Sequence, residues 1–274
     1  MNTWDSEFYD SNSNIQYQLG LLTLNELNIQ DGETILDIGC GTGRLTIEIA
    51  KKTPSGSVIG LDNNFDMIAK AIENLKSKGL KNIHFITEDI LLYKPEIQFD
   101  AIFSNSALHW ILKTRALYQK IYAILAPGGR FVAQVPTKGS LDHFISIFLA
   151  PIQSLNLSVY FKNWKYPVKL MTPNSLQKLL NTIGFSDIQI WMKNQKLEFN
   201  SPKNLLNFLQ SATLVPFLSQ IPPIKRKSYL NYLLNIFKTY KNLDLSITMK
   251  RLFLKAKKES LIKHATRTNI NNIK

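Results

Sequence analysis

Cysteine is nearly absent from this chain. Cys40 is the single one in 274 residues, so no disulfide can form within the chain. A reducing, cytoplasmic setting is therefore expected. Long apolar runs are missing as well, and none approaches the roughly 18 residues that a membrane span needs. The opening MNTWDSEFYDSNSN is polar and acidic and lacks the apolar centre of a secretion signal. Histidine is scarce. His84, His109, His143 and His264 stand far apart, and none is grouped with the cysteine at metal-ligand spacing, so no metal is expected. Acidic residues run out toward the end. Residues 1–199 hold 18 Asp and Glu against 19 Lys and Arg, whereas residues 200–274 hold 2 against 14.

That imbalance puts almost all of the net charge of +13 into the last quarter. Such a surface suits a nucleic acid, an anionic carrier or a membrane surface. The plainer reading is a solvated, lysine-rich face. The basic residues are spread along helical stretches, and the last twenty residues offer few aromatics to stack on bases. With 45% hydrophobic residues, the chain has ample material for one large domain or a domain with an insertion.

Strands and helices alternate through the first half. The patterns predict an N-terminal arm over residues 1–30 with one helix over 16–27. Strands follow over 34–38, 57–61, 82–86, 99–103 and 130–135. A helix over 64–78 ends at Gly79, and another after strand four stops at Pro127-Gly128-Gly129. This alternation indicates a doubly wound, mostly parallel sheet with helices on both faces. After Pro136 the pattern changes. Residues 139–171 read as a helical cover rich in aromatics. Thr172-Pro173 opens a helix that Gly184 closes. A sixth strand over 185–192, two helices over 202–241 split at Pro222-Pro223, and a last strand over 247–255 complete the pattern.

The densest signal is ILDIGCGTGRLTIEIA, residues 35–50. Gly39, Gly41 and Gly43 let the backbone turn sharply and approach a ligand. Asp62, at the end of the second strand, lies 19 residues beyond Gly43, the distance at which an acid holds ribose hydroxyls. Arg44 stands where a dinucleotide loop has its third glycine. Asp37 precedes the loop, and its carboxylate repels a pyrophosphate but suits a cation. A nicotinamide oxidoreductase is disfavoured on both counts. The expected ligand carries a sugar and a positive group but no phosphate.

The run Asp37-x-Gly39-x-Gly41-x-Gly43 resembles the first motif of class I S-adenosylmethionine-dependent methyltransferases. FDAIFSNSALHWI (99–111) and LAPGGRFVAQVP (125–136) resemble their later motifs. The narrower likeness is to the trans-aconitate methyltransferase family. It rests on the arm from Trp4 to Tyr9, on Ser104, Asn105 and Trp110, on SATLVPFLSQIPPIKR (211–226) and on RLFLKAKK (251–258). His109 departs from the glutamine common there.

The resemblance implies a Rossmann-like α/β fold with a seven-stranded, mostly parallel sheet and helical insertions near the C-terminus. It implies one domain over 1–258, with an arm to 33, a cofactor-binding core over 34–136 and an acceptor-side cover beyond. A basic polar tail would follow over 259–274. By the same resemblance, Asp37, Gly39, Cys40, Gly41 and Gly43 line the methionine end of S-adenosylmethionine. Asp62 holds the ribose, Asn63 and Met67 border the adenine, Asp89 accepts from its amine and Ile90 lies against the ring. Asn105 joins the cofactor-binding set. Met67 and Ile90 read equally well as core, and Cys40 as a small side chain tucked behind the loop.

A methyl on a sulfonium needs alignment and exclusion of water more than catalytic side chains. An acceptor carboxylate needs no base; a phenol, amine or ring nitrogen does. His109, at the end of strand four, is the candidate catalytic base, or else a hydrogen-bonding residue. Trp4, Tyr9, Trp110 and His143 are candidate acceptor-binding residues, with Phe144 and Phe148 as possible walls. The expected activity is methylation of a small-molecule carboxylate oxygen by a monomer. The alternatives are a carboxylate on an acidic acyl carrier, or N- or O-methylation with His109 as base. No nucleic acid partner is expected. Ser104-Asn105-Ser106-Ala107 is not the Asn/Asp-Pro-Pro-Tyr/Phe of amino-methylating DNA enzymes, and no Pro-Cys pair is present. Intact Asp37 and Asp62 speak against a non-catalytic module.

Overall fold

The computed structural model describes residues 4–140, 142–239 and 245–260, and of His143 the backbone alone. The tail expected over 259–274 lies outside the described residues beyond its first two positions, and His264 with it. Two helices open the chain, α1 (Ser6–Asn12) and α2 (Asn14–Leu27). The single helix expected over 16–27 misses α1, which Asp5 caps by accepting from the Phe8 N–H at 2.9 Å. There follow β1 (Thr34–Ile38), α3 (Arg44–Lys52), β2 (Ser57–Asp62), α4 (Phe65–Lys76) and β3 (Ile83–Thr87). Next come β4 (Phe99–Asn105), α5 (Thr114–Ile124), β5 (Leu125–Pro136), α6 (Asp142–Ser154), α7 (Pro173–Ile183) and β6 (Ser186–Glu198). The chain then forms α8 (Pro202–Ser211), α9 (Val215–Gln220), α10 (Pro223–Thr239) and β7 (Ser246–Lys257).

The seven strands form one sheet in the order β3-β2-β1-β4-β5-β7-β6. Neighbours among β1 to β5 are parallel, and β7 runs antiparallel between β5 and β6. Helices bury both faces, so the central strands read as nearly unbroken apolar runs. Leu36, Ile121, Phe131 and Leu180 fill one side, and Leu24, Ile35, Ile47 and Phe103 the other. From β1 the chain winds outward to β3, then crosses back to β4. The loops leaving β1 and β4 therefore part in opposite directions, which opens a crevice beyond the carboxyl ends of the two strands.

A second core lies apart from the sheet. Phe148, Phe217, Tyr229 and Leu233 of α6, α9 and α10 are buried together, and the Tyr229 hydroxyl donates to the Phe148 carbonyl at 2.8 Å. Strands β6 and β7 run longer than the sequence pattern marks. Their ends pair Leu197 with Ile247 and Glu198 with Ser246, and Leu197, Ile247 and Met249 pass into this second core. The ribbon thus anchors the helical insertion. Residues 202–239 hold three helices rather than two, because the chain also breaks between Ser211 and Val215. No helix among the described residues is long and apolar enough to cross a membrane.

Candidate active site

The crevice is floored by the glycine loop between β1 and α3. Gly41 has φ +54°, and a Cβ there would find nothing nearer than the Tyr9 ring at 3.9 Å. Its backbone is therefore open to the crevice. Gly43, at φ +75°, is required for another reason: a Cβ would come within 2.6 Å of Phe85 and 2.9 Å of Ala71. Its absence lets α3 start close against β3 and α4. The loop is pinned from beneath, since Gly39 and Cys40 both donate to the Leu61 carbonyl, at 2.7 and 3.1 Å.

Two carboxylates face this loop. Asp62, at the end of β2, accepts from the Gly41 N–H and the Asn64 N–H, each at 3.0 Å. Burial raises its pKa, and those hydrogen bonds oppose the rise. Each oxygen keeps lone-pair capacity for a ribose hydroxyl. Asp37, at 1% exposure, accepts from the Thr46 hydroxyl at 2.7 Å. Burial, and after it the Asp62 charge, push its pKa up to about 7. A buried acid in that state is relieved by a cation, and S-adenosylmethionine brings an ammonium and a sulfonium. The open Gly41 backbone and the under-partnered Asp37 thus fit that cofactor. Cys40 is buried, and burial pushes its thiol well above the ordinary range, so it stays protonated and unreactive.

Along the expected adenine end, Asp89 follows β3 and accepts from the Leu91 N–H at 2.9 Å. Met67 is 4% exposed, its N–H bonded to the Asn64 side chain at 3.0 Å, and Ile90 belongs to the core between the sheet and α5. Asn63 is exposed. Asn105 is already engaged: its amide donates to the Gln16 carbonyl at 3.4 Å and accepts from Thr23 at 3.3 Å, tying α2 to the end of β4.

The arm closes the crevice from above. The Thr42 hydroxyl donates to Asp10 at 2.6 Å, and Lys70 pairs with Glu7 at 2.7 Å. Tyr9 lies over Gly41, and its pKa is pushed up to about 12 by burial and then by the Asp62 charge. Trp4 meets Tyr9 and Trp110 edge-on, with centroids 5.9 and 5.7 Å apart. Trp110 also touches Tyr166 at 6.2 Å and His109 at 4.9 Å. Trp4, Tyr9, His109 and Trp110 are therefore brought together. His143 belongs to α6, and only its backbone is described.

His109 is 8% exposed in the turn after β4. Burial, and then the Arg251 charge, lower its pKa to about 3. Four buried polar side-chain atoms lack a hydrogen-bond partner among the described residues: Gln16 Oε1, His109 Nδ1, Gln134 Nε2 and Arg251 Nε. All belong to elements meeting beyond β4. Gln134 pairs with Asn105 across β5 and β4, and Arg251 Nη2 donates to the Ser106 hydroxyl at 3.0 Å. Gln16, Ser106, Gln134 and Arg251 were not among the expected site residues. Arg251 had a signal: Ile247, Met249, Arg251 and Phe253 are alternate, buried positions of one strand, and an arginine in that apolar phase is out of place.

A family model described as a methyltransferase domain matches residues 29–179. Over 233 residues the chain is 28% identical to the trans-aconitate 2-methyltransferase of Acidovorax sp. (strain JS42), covering 84% of this chain and 87% of that one. It is 39% identical over 104 residues to the malonyl-[acyl-carrier protein] O-methyltransferase 2 of Ilyobacter polytropus, covering 37% of this chain and 39% of the other. Among solved structures, the phosphoethanolamine N-methyltransferase 2 of Haemonchus contortus in complex with S-adenosyl-L-methionine shares the fold. Its TM-score is 0.58 at 21% identity, over 89% of this chain and 53% of that one. The chain belongs to the methyltransferase domain family, and within it to the class I enzymes that use S-adenosylmethionine.

Proposed function

We propose that this enzyme methylates a carboxylate oxygen of a small acid. The state of His109 carries the reading. With its pKa lowered to about 3, it is neutral but only feebly basic at neutral pH. A phenol or a protonated amine has a proton to lose before it attacks. A carboxylate is ionised without help. The cationic Arg251 beside His109 also favours an anion at this end of the crevice. The trans-aconitate and malonyl-carrier enzymes among the relatives bear names consistent with acid acceptors.

The bound cofactor supplies a methyl group on a positively charged sulfur leaving group. In this proposal Asp37 neutralises the cofactor's positive end, Asp62 orients the ribose, and Asp89, Asn63, Met67 and Ile90 bracket the adenine. Gly39, Cys40, Gly41 and Gly43 give the backbone its close approach, and Asn105 holds α2 over the loop. Trp4, Tyr9 and Trp110 exclude water and wall the acceptor, with His143 on the cover. His109 then packs and orients rather than removing a proton. With the cofactor held by these residues, a carboxylate acceptor would leave as its methyl ester, with no proton for the enzyme to remove. A cytoplasmic location belongs to the same proposal, supported by the lone thiol.

The test is transfer from S-adenosylmethionine carrying a tritiated methyl group to a panel of mono-, di- and tricarboxylic acids. Mild alkali releases an ester methyl as volatile methanol; alkali-stable label in the product overturns the reading. A second reading, supported by the malonyl-carrier relative and the basic last quarter, puts the carboxylate on an acidic acyl carrier. Only that reading expects catalytic efficiency to fall steeply as salt screens the basic region.

A further inference from the structure

We propose that Arg251 is the receptor for a second, non-reacting carboxylate of the acceptor, making the enzyme selective for small acids that carry more than one. The acceptor chemistry rests on the carboxyl-methylation reading above. Arg251 sits in β7 at 4% exposure, opposite Pro136 of β5 and Lys193 of β6. A guanidinium so enclosed is ordinarily paired with a carboxylate. Here its hydrogen bond runs from Nη2 to the Ser106 hydroxyl at 3.0 Å, and Nε has no partner among the described residues. The group facing it that favours its charge is Tyr9, a phenol whose own pKa is pushed up to about 12. The fold has therefore placed a cation in its interior, at the acceptor end of the crevice, with no carboxylate paired to it among the described residues.

The surroundings supply the rest of a carboxylate cradle. Ser106 accepts from Arg251 and donates to Gln134 Oε1 at 3.1 Å, so the two side chains lie on either side of one hydroxyl. Gln134 Nε2 is the second orphaned donor there. Ser106 is held in the left-handed region, φ +58°, where serine is strained, and its N–H donates to the Gln134 carbonyl at 2.8 Å. Strain of this kind persists where the surroundings over-determine it, as at ligand clamps. A guanidinium fork fits the two oxygens of a carboxylate. It also draws electron density from them, so the carboxylate it holds is a poor nucleophile. The oxygen that takes the methyl therefore belongs to another carboxylate of the same molecule.

The cofactor's own carboxylate is the other anion of this chemistry, and the experiment separates the two. Calorimetry on the enzyme saturated with S-adenosylhomocysteine uses trans-aconitate, fumarate and crotonate as probes with three, two and one carboxylates. Wild type is compared with Arg251→Met, which fills similar volume without charge, and Arg251→Lys, which keeps the charge without the fork. Wild type should bind all three acids about 100-fold more tightly than Arg251→Met does, on the scale of hydrogen bonds to a charged group, and should methylate only trans-aconitate and fumarate, because Arg251 takes the one carboxylate of crotonate. Arg251→Lys should recover part of that affinity, and S-adenosylhomocysteine should bind all three proteins equally. In turnover the loss should appear in KM, with kcat nearly unchanged.

Equal binding of trans-aconitate by wild type and Arg251→Met overturns the proposal, as does failure of all three acids to bind wild type. Loss of S-adenosylhomocysteine binding in variants that still melt cooperatively assigns Arg251 to the cofactor and overturns it as well. If the acids depend on Arg251 as expected but the transferred methyl is alkali-stable, the carboxyl-methylation reading fails while the anion receptor stands.

Discussion

Replacing Asp37 by asparagine should make the cofactor-free protein more stable, and increasingly so as pH rises. Burial and the Asp62 charge raise the Asp37 pKa to about 7, against the bond from Thr46. In an unfolded chain an aspartate titrates near 3.9. Because the folded value is the higher one, the stability that Asp37 contributes by holding its proton is complete below about pH 4. It is lost as pH rises through 7. Three pKa units at 1.36 kcal/mol each give about 4 kcal/mol of destabilisation at pH 8, falling to about 1–2 kcal/mol at pH 5. The asparagine side chain would keep an acceptor for the Thr46 hydroxyl and carry no charge to bury. Urea denaturation of both proteins between pH 5 and 8, without cofactor, reads the difference directly. An Asp37→Asn protein that is no more stable at pH 8, or a gain independent of pH, would refute the reasoning. The same variant should bind S-adenosylmethionine more weakly, since the site keeps a costly charge for its cationic ligand.

Asp62→Ala should weaken S-adenosylhomocysteine binding by about 2–3 kcal/mol, the scale for hydrogen bonds to a charged group; unchanged affinity by calorimetry would place the ribose elsewhere. His109→Gln should keep most of its turnover. With His109 at about 3, wild-type kcat should be level from pH 6 to 8, so a steep rise across that interval would mean an essential base. Phe217, fully buried between Phe148 and Trp164, anchors the second core. Phe217→Ala should cost about 3–5 kcal/mol in urea denaturation, and a loss below 1 kcal/mol would mean that this core is not cooperative with the sheet.

The parallel half of the sheet is legible in the sequence because β1, β2 and β4 are largely buried on both faces, with glycines bounding β1 on both sides and β2 at its start. The proposed cofactor end is legible for a local reason too: Asp37, the three glycines and Asp62 fall within 26 residues of one βαβ unit. What is illegible depends on contacts distant in the chain. Helix α1 is short and none of its residues is fully buried, and it is held by Asp10 to Thr42 and Glu7 to Lys70, pairs that no periodicity reveals. The overrun of β6 and β7 reads as polar because its outer face is solvated, while its inner face packs on helices remote in sequence. His109 carries its chemical type in the sequence but not its basicity, which burial and Arg251 set. Arg251 itself lies more than a hundred residues from Gln134 and Ser106, which surround it.

The central claim is that a site without an effective base methylates an acid that arrives already ionised. Mass spectrometry of the purified enzyme incubated with S-adenosylmethionine and an unfractionated extract of small metabolites tests it most directly. The account expects a product one CH₂ heavier than a small acid, reverting to that acid under mild alkali. A product of the same mass gain on an amine, a phenol or a ring nitrogen, stable to alkali, would contradict it.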